Sequence, residues 1–296
     1  MKSGVVAVVG RANAGKSTLI NVLVGEKVAI VSPKPQTTRD RILGILTRDD
    51  YQVVFVDTPG IYKASNLLNQ RMQKSTENSV KDVDLILFVI DGHEGVKEGD
   101  LEILKKYASL GIKTLCVFSK IDIMPKEKMY EELTKFADID NVEVIPVSAR
   151  KGKNVKELLK EIVNLLPEGE PLYSDDVISN RSERFMISEI MREKILLLCD
   201  KEIPHGVAIV INEFSRRDNG IYDVNLDIVC EKQNHKAIII GKQGKKIKEI
   251  SSFAREGMEK FLDSKVFLTV FVKVREDWRN NPSRLRDFGY SDEDLN

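Results

Sequence analysis

The eight residues Gly10–Ser17 constrain this 296-residue chain more than any other stretch, because they match the pattern G-x-x-x-x-G-K-[ST] at every fixed position. The apolar run Val5–Val9 before them is typical of a buried parallel strand. Residues 16–24 after them predict a helix that ends at Gly25. A strand, a glycine loop and a helix in this order direct backbone N–H groups and a helix N-terminus at phosphate oxygens. The sequence therefore predicts a nucleoside-triphosphate site.

We expect Lys16 to reach the β- and γ-phosphates and the Ser17 hydroxyl to bind Mg²⁺. A glycine-rich turn that matches the pattern without function is the alternative, and both flanks argue against it. The residues assigned to nucleotide contact in this loop are Gly10, Arg11, Ala12, Asn13, Ala14, Gly15, Lys16, Ser17 and Thr18.

The first part of the chain alternates short apolar runs with amphipathic stretches. Predicted strands cover 5–9, 52–57, 84–90, 114–119 and 142–147, and predicted helices cover 16–24, 66–81, 99–110, 125–137 and 153–166. This alternation predicts an α/β domain over residues 1–168, with a mostly parallel sheet and helices on both faces. Ligands of such sheets bind at the carboxyl ends of the strands, where the remaining motifs fall.

A magnesium site is predicted at those strand ends. Asp57, which follows an apolar strand, is expected to face the ion through water. The polar loop 32–40 offers a hydroxyl that would complete the ion's shell; we assign this role to Thr38 and keep Thr37, or an ordinary polar loop, as alternatives. Gly60 can offer its N–H to the γ-phosphate. The predicted metal ligands are thus Ser17, Thr38 and Asp57, the predicted catalytic residues are Lys16, Thr38 and Gly60, and Thr58 and Pro59 complete the nucleotide contact.

Two further motifs predict which base is bound. Asp122, in the stretch Ser119-Lys120-Ile121-Asp122, can accept two hydrogen bonds from the N–H and NH₂ groups of guanine, which adenine cannot supply. A carboxylate left unpaired by the wrong base costs enough free energy for strong discrimination. We expect Lys120 to lie over the base. Backbone N–H groups of Ser148, Ala149 and Arg150 are expected near the guanine oxygen.

As a set, these motifs resemble the translation-factor class of GTPases over residues 3–167. The resemblance implies a P-loop GTPase domain that uses GTP, GDP and Mg²⁺. One departure is Ser119, which stands where that class has Asn. We expect the shorter side chain to brace the base motif against the glycine loop more weakly or through water, with guanine selectivity kept and affinity lowered.

Two residues bear on the rate of hydrolysis. Ile61 stands where many GTPases carry the Gln that orients the attacking water, so we expect a slow intrinsic rate. Asn13 matches the Asn that coordinates potassium in some relatives. The resemblance thus implies a K⁺ ion beside the phosphates, where it would neutralise charge that develops during hydrolysis.

A polar linker over 169–181 leads to a second domain with a different pattern. Residues 182–276 predict the order α-β-β-α-α-β, with a helix over 182–201 and a last strand over 266–274. The two consecutive helices of this order meet at a glycine break, Gly241-Lys242-Gln243-Gly244. The isoleucines 238–240 before the break are predicted to lie in the core. We assign RNA contact to Lys232, Lys236, Gly241, Lys242, Gln243, Gly244, Lys245, Lys246 and Lys248.

The glycine break resembles the GXXG loop of KH domains, which clamps single-stranded nucleic acid. The order of elements is that of the type II KH fold. A solvated helix-turn-helix with a lysine-rich face is the alternative. Because the formal net charge of the chain is zero, attraction to RNA must come from this local cluster rather than from the whole molecule.

One GTPase domain followed by one type II KH domain resembles the Era family of bacterial ribosome-assembly GTPases, over about residues 3–290. That resemblance implies binding near the 3′ end of 16S rRNA, assembly of the 30S subunit and peripheral membrane contact.

Three scattered cysteines, without a C-x-x-C pair, indicate a reducing cytoplasm. No apolar stretch is long enough to cross a bilayer, and we expect a monomer.

The C-terminal tail, residues 277–296, leaves two interpretations open. Arg284 and Arg286 stand near the aromatic residues Trp278, Phe288 and Tyr290, so these side chains could stack on unpaired bases. Equally, Trp278 and Phe288 could fix the tail to the second domain.

Three functions fit the sequence as a whole. They are a GTP-driven assembly factor, an ATP-using kinase or ATPase with an RNA module, and an RNA-binding protein whose nucleotide site is weak or regulatory. Asp122 argues against the second function, and the intact Lys16, Ser17 and Asp57 argue against the third.

Overall fold

A computed structural model of the chain describes residues 1–60, 65–137, 139, 142–200 and 203–290. Within these residues the first domain has six strands: β1 (Lys2–Gly10), β2 (Ile42–Thr47), β3 (Tyr51–Asp57), β4 (Leu85–Asp91), β5 (Lys113–Ser119) and β6 (Val142–Pro146). Its helices are α1 (Lys16–Val24), α2 (Leu67–Asn78), α3 (Glu98–Ala108), α4 (Lys126–Thr134) and α5 (Val155–Leu165). The strand order is β2-β3-β1-β4-β5-β6, and all neighbours are parallel except β2 and β3. Apolar side chains from the two faces of this sheet form separate cores beneath the helices.

The predicted α/β architecture is confirmed, with one strand more than the sequence indicated. β2, the antiparallel edge strand, was not predicted because Gly44 interrupts a run of only six residues. A Cβ at Gly44 would lie 2.9 Å from a methyl group of Ile20 in α1. The glycine therefore lets α1 pack closely on the strand, a requirement that only the tertiary structure reveals.

The linker lies along that edge strand. The backbone N–H of Ile45 donates to the carbonyl of Ile178 at 2.9 Å, and the backbone N–H of Leu43 donates to Asn180 Oδ1 at 2.9 Å. Hydrogen bonds to the linker thus satisfy backbone groups that an edge strand would otherwise expose to other chains.

The second domain contains α6 (Glu183–Leu198), β7 (Ala208–Arg216), β8 (Tyr222–Cys230), α7 (Gln233–Ile240), α8 (Lys245–Leu262) and β9 (Val266–Val274). Its sheet has the order β7-β8-β9, antiparallel between β7 and β8 and parallel between β8 and β9. The predicted order α-β-β-α-α-β is confirmed. One detail is wrong: Ile239 is buried, but Ile238 is 52% exposed beside the glycine break, because α7 turns only one side of its last turn toward the core.

A short 3₁₀ turn (Trp278–Asn280) and α9 (Pro282–Asp287) form the described part of the tail. Trp278 is 0% exposed, and its Nε1 donates to the carbonyl of Gly206 at 3.0 Å. Its ring lies 5.5 Å from that of Phe288 and 5.9 Å from that of Tyr290, measured between centroids. The interpretation that Trp278 fixes the tail to the second domain is therefore confirmed. The interpretation that Trp278 stacks on bases is wrong.

The tail also joins the two domains. Trp278 and Leu285 share one apolar cluster with Leu68 and Met72 of α2 and with Ala208 and Val229 of the second sheet. Part of the outer face of that sheet is thus covered by the first domain.

Replacing Trp278 by alanine is expected to lower the free energy of unfolding by about 3–5 kcal/mol, because a fully buried ring and its hydrogen bond are lost together. Denaturant titration of the full chain, followed by circular dichroism, measures the change. Phe271→Ala is the matched control, since that ring is 52% exposed, and we expect a loss within about 0.5 kcal/mol. Equal losses in the two variants would contradict a packing role for Trp278.

Candidate functional site

A cavity of about 410 Å³ lies at the carboxyl ends of the parallel strands. It collects predicted residues from five separate segments of the chain. The predicted residues in its wall are Ala12, Asn13, Gly15, Lys16, Ser17, Thr18, Thr38, Gly60, Ser119, Lys120, Asp122, Ala149 and Arg150. The other predicted residues do not line the cavity but lie close to wall residues along the chain. They are Gly10, Arg11, Ala14, Asp57, Thr58, Pro59 and Ser148.

The glycine loop has the backbone that its sequence predicts. Gly10 has a φ of 148°, and a Cβ there would lie 2.2 Å from the carbonyl oxygen of Val89, so no other residue fits. Gly15 has a φ of 99° and caps α1 without a side-chain hydrogen bond. The first N–H groups of α1 therefore remain available to an anion.

Lys16 is buried at the centre of this loop. Its Nζ donates to the carbonyls of Gly10 at 3.1 Å and Arg11 at 3.0 Å. Burial lowers the pKa of Lys16 to about 8, against the opposing attraction of the Asp57 carboxylate. A buried ammonium with mainly neutral partners gains much from a nearby anion, as expected of a phosphate-binding lysine.

The three predicted magnesium ligands converge behind Lys16. Ser17 Oγ lies 2.7 Å from Asp57 Oδ2 and 2.9 Å from Thr38 Oγ1, and Thr38 Oγ1 lies 3.2 Å from the same carboxylate oxygen. The other carboxylate oxygen, Asp57 Oδ1, is buried and has no hydrogen-bond partner in the described residues. Burial also raises the pKa of Asp57. Two hydroxyls and a carboxylate with an unsatisfied oxygen fit a hard divalent cation.

Of the two candidate threonines, the geometry selects Thr38. The Thr37 hydroxyl lies 2.7 Å from Ser32 Oγ and donates to the carbonyl of Lys34 at 2.6 Å, so it serves the loop itself. Thr38 is buried and faces Asp57.

The motif after Asp57 is held tightly against the glycine loop. Thr58 is buried and donates to the carbonyl of Val8 at 2.8 Å. A Cβ at Gly60 would lie 2.6 Å from the Cα of Ala12, so a side chain would push the two loops apart. Ile61, where the sequence predicts the loss of a water-orienting Gln, lies outside the described residues.

The base-recognition residues occupy the other end of the cavity. Ser148 donates to Asp122 Oδ1 at 2.6 Å, which orients the carboxylate. Ser119 Oγ donates to the carbonyl of Ala14 at 2.7 Å. Of the two expectations for Ser119, the water-mediated brace is wrong, because the hydroxyl reaches the glycine loop directly; a weaker brace and a lower affinity for guanine stay predictions.

Asp122→Asn is expected to weaken GTP binding about 100-fold, because an amide cannot accept both guanine hydrogen bonds and leaves donors unpaired. The same change should improve binding of xanthosine triphosphate, whose C2 oxygen matches the new amide donor. Competition against a fluorescent GDP analogue measures both affinities. Ser148→Ala, which only loosens the carboxylate, should cost about tenfold or less and leave the preference for guanine intact. An unchanged preference in Asp122→Asn would contradict the assignment.

The glycine break of the second domain is a compact turn between α7 and α8. Gly241 has a φ of 71°, Gln243 of 52° and Gly244 of 73°. Four of the assigned lysines are exposed, namely Lys232, Lys242, Lys245 and Lys248, whereas Lys236 and Lys246 are half-buried. Lys246 lies 3.1 Å from the Glu249 carboxylate. Since α8 begins with no side-chain cap, its N-terminal amides remain available to an anion beside these lysines.

Comparison with known proteins finds matches for both domains. A family model described as a 50S ribosome-binding GTPase matches residues 5–120, and a KH domain model matches residues 202–279. GTPase Era of Clostridium kluyveri is 50% identical over 98% of this chain and 99% of its own length. GTPase Era of Clostridium botulinum strain Loch Maree is 48% identical, over 98% of both chains. The chain belongs to the Era family of GTPases.

Two solved structures of this family resemble the chain along its whole length. The crystal structure of a single-residue variant of Aquifex aeolicus Era bound to GDP.AlF4⁻ has a TM-score of 0.93 and 40% identity, over 98% of this chain and all of the other. A structure of Era in complex with MgGDPNP and nucleotides 1506–1542 of 16S ribosomal RNA has the same score and identity, over 98% and 99%.

Several residues of the site in this Era family member were not predicted from the sequence. Asp91, at the end of β4, lies 2.6 Å from Lys120 Nζ and fixes that side chain beside the base end of the cavity. His93 and Glu94 also line the cavity, as does Leu197 of the second domain. A carboxylate at a strand end was the available signal for Asp91. No signal in the sequence placed α6 beside the nucleotide site.

No helix in the described part of the chain has the length and apolarity needed to cross a membrane.

Proposed function

We propose that this Era family GTPase binds GTP and Mg²⁺, hydrolyses GTP to GDP and phosphate, and uses the nucleotide state to control an RNA-binding surface. One observation carries the proposal: the Ser17 and Thr38 hydroxyls, which line the same cavity as Asp122, both contact the Asp57 carboxylate. The first group suits the metal and phosphate, and Asp122 suits guanine. The proposed domains are residues 1–168 for the GTPase, 169–181 for the linker, 182–276 for the KH domain and 277–296 for the tail.

In this proposal, each residue of the cavity has a distinct task. Lys16 and the N–H groups of Gly10–Ser17 bind the phosphates. Ser17, Thr38 and Asp57 hold Mg²⁺, which when bound supplies positive charge to the phosphate oxygens. Gly60 offers its N–H to the γ-phosphate, so that Thr38 and Gly60 both respond to its presence. Lys120 and Asp122 hold the base.

We further propose that the KH domain binds single-stranded RNA near the 3′ end of 16S rRNA and that the protein assists assembly of the 30S subunit. The RNA in the related Era structure, nucleotides 1506–1542, supports this choice. The exposed lysines around Gly241 and Gly244 would contact phosphates. Cytoplasmic localisation, contact with the inner face of the membrane and a monomeric state are parts of the same proposal.

Steady-state hydrolysis separates this function from its two alternatives. We expect slow turnover of GTP, no competition from ATP at a hundredfold excess, and binding of an oligonucleotide with the 16S rRNA 3′-end sequence. Competition by ATP would favour an ATP-using kinase or ATPase. Absence of any turnover, with RNA binding retained, would favour an RNA-binding protein with a weak or regulatory nucleotide site.

A potassium ion beside Asn13 is the remaining proposal about the nucleotide site. Asn13 has a left-handed backbone with φ of 64°, and its Nδ2 donates to the carbonyl of Pro33 at 2.6 Å. This bond uses the amide nitrogen, so Oδ1 is the atom that Asn13 would offer to a monovalent cation. We expect GTP turnover about tenfold faster in KCl than in NaCl at equal ionic strength. Asn13→Ala should remove the difference, and equal rates in the wild-type protein would contradict the proposal.

A further inference from the structure

One face of α6 carries charge into the contact between the two domains. Glu189, Arg192 and Glu193 are spaced so that they share one side of the helix, and all three are buried. Arg192 is only 1% exposed. A buried charge costs free energy unless it is paired. The hydrogen-bond partners of Arg192 therefore indicate which groups its guanidinium positions.

Arg192 divides its donors between a carboxylate and the loop 32–40. Its Nε donates to Glu189 Oε1 at 2.7 Å, and its Nη2 donates to Glu189 Oε2. Nη2 also donates to the carbonyl of Thr37, and Nη1 lies 3.5 Å from the carbonyl of Gln36. Burial alone would lower the pKa of Arg192, but the Glu189 carboxylate raises it above its usual value. The guanidinium is therefore a permanent cation with a fixed orientation.

The same short segment faces the metal site on its other side. Thr38, one residue beyond the carbonyl that Arg192 holds, directs its hydroxyl at Ser17 and Asp57. Arg39, the next residue, donates to the carbonyls of Val207 at 2.7 Å and His205 at 3.0 Å in the second domain. Thr38 thus has a contact to the second domain on each side.

We propose that Arg192, oriented by Glu189, is a positioning residue for Thr38, so that recognition of the γ-phosphate depends on a residue of the KH domain. The inference rests on the proposed role of Thr38 as a magnesium ligand. Because GDP has no γ-phosphate for loop 32–40 to sense, loss of the Arg192 contact weakens binding of triphosphates and spares binding of GDP.

The test uses the full-length double variant Glu189→Gln with Arg192→Met. Removing Arg192 alone would leave a buried, unpaired carboxylate, whereas this pair is neutral and close in volume. Affinities for Mg·GDPNP and Mg·GDP are measured by isothermal titration. We expect GDPNP to bind about tenfold more weakly, the effect of losing a charge-assisted hydrogen bond, and GDP to bind within about twofold of the wild-type protein. The Mg²⁺ concentration needed for half-maximal GTP hydrolysis should rise.

Two further variants make each outcome decisive. Lys27→Gln removes an ion pair between the first domain and Glu193 of the same helix, 2.9 Å long, without touching residues 36–38. It should leave the ratio of GDPNP to GDP affinity unchanged. Thr38→Ala should lower that ratio; if it does not, the proposed role of Thr38 fails. If Thr38→Ala lowers the ratio and the double variant does not, the inference about Arg192 is overturned and the role of Thr38 stands.

A general loss of structure is distinguished from the proposed role by the affinity for GDP. Equal losses of GDPNP and GDP affinity in the double variant would overturn the inference, because they indicate a merely structural role. If that variant does not fold, Arg192→Lys replaces it, since lysine keeps the charge beside Glu189 but cannot span the carboxylate and the loop carbonyls. The same selective loss is expected, and an unchanged affinity ratio would overturn the inference.

Discussion

Replacing Lys16 by alanine is expected to weaken GTP and GDP binding at least about 100-fold in this Era family GTPase. Its ammonium is buried among the carbonyls of Gly10 and Arg11, in the place where the β- and γ-phosphates are expected. A charge-assisted hydrogen bond to phosphate in such a desolvated site contributes roughly 3 kcal/mol or more, and each 1.4 kcal/mol changes the affinity about tenfold. Isothermal titration with both nucleotides measures the loss.

The matched control for this variant is Lys105→Ala, an exposed lysine on α3. It should leave nucleotide affinity unchanged. Binding of the 16S rRNA oligonucleotide in the absence of nucleotide should survive in Lys16→Ala, because the glycine break lies in the other domain. Wild-type affinity for GTP in Lys16→Ala would contradict the assignment of the site.

The second large effect is expected from Gly241→Asp, which should weaken RNA binding about 100-fold. Gly241 has a left-handed backbone, and a Cβ there would lie 2.5 Å from the Cβ of Lys246. An aspartate therefore distorts the turn and also adds negative charge where RNA phosphates approach. Fluorescence anisotropy with the labelled oligonucleotide measures the change. Basal GTP hydrolysis should stay within about twofold, since the site of hydrolysis is built from the first domain.

Two variants separate the causes of that loss. Gly241→Ala adds the steric clash without charge, and Gly244→Ala adds a methyl group that has no atom within 4 Å apart from those of its neighbours along the chain. We expect a graded series in which Gly244→Ala binds RNA best and Gly241→Asp worst. A parallel loss of GTP hydrolysis and RNA binding in Gly241→Asp would show that the domains do not function separately.

The sequence predicts those parts of the molecule that depend on local pattern. The glycine loop, Asp57 and Asp122 each lie at or just after the end of a buried strand, and parallel strands end at one edge of the sheet, so their meeting at one site is foreseeable. The fold of the second domain was predictable from local pattern too, because residues 221–230 alternate between apolar and polar and the glycine break separates two helical stretches.

Features that depend on packing between distant residues were not predictable. In the sequence, Gly44 indicates a break in an apolar run. Its place within a strand follows from the close packing of α1, which the sequence does not reveal. Three successive isoleucines have no period that would show Ile238 to be exposed. The pairing of Arg192 with loop 32–40 joins residues more than 150 positions apart, and on the sequence alone the charged face of α6 is indistinguishable from a solvated one.

We infer that nucleotide state and RNA binding are linked through the contact between loop 32–40 and the second domain. The most direct test is GTP hydrolysis by the wild-type protein with and without a saturating 16S rRNA 3′-end oligonucleotide, with Gly241→Asp beside it. We predict that the oligonucleotide changes the wild-type rate by about fivefold or more, as expected for coupled sites, and leaves Gly241→Asp unchanged. A wild-type rate that is the same with and without bound RNA would contradict the claim.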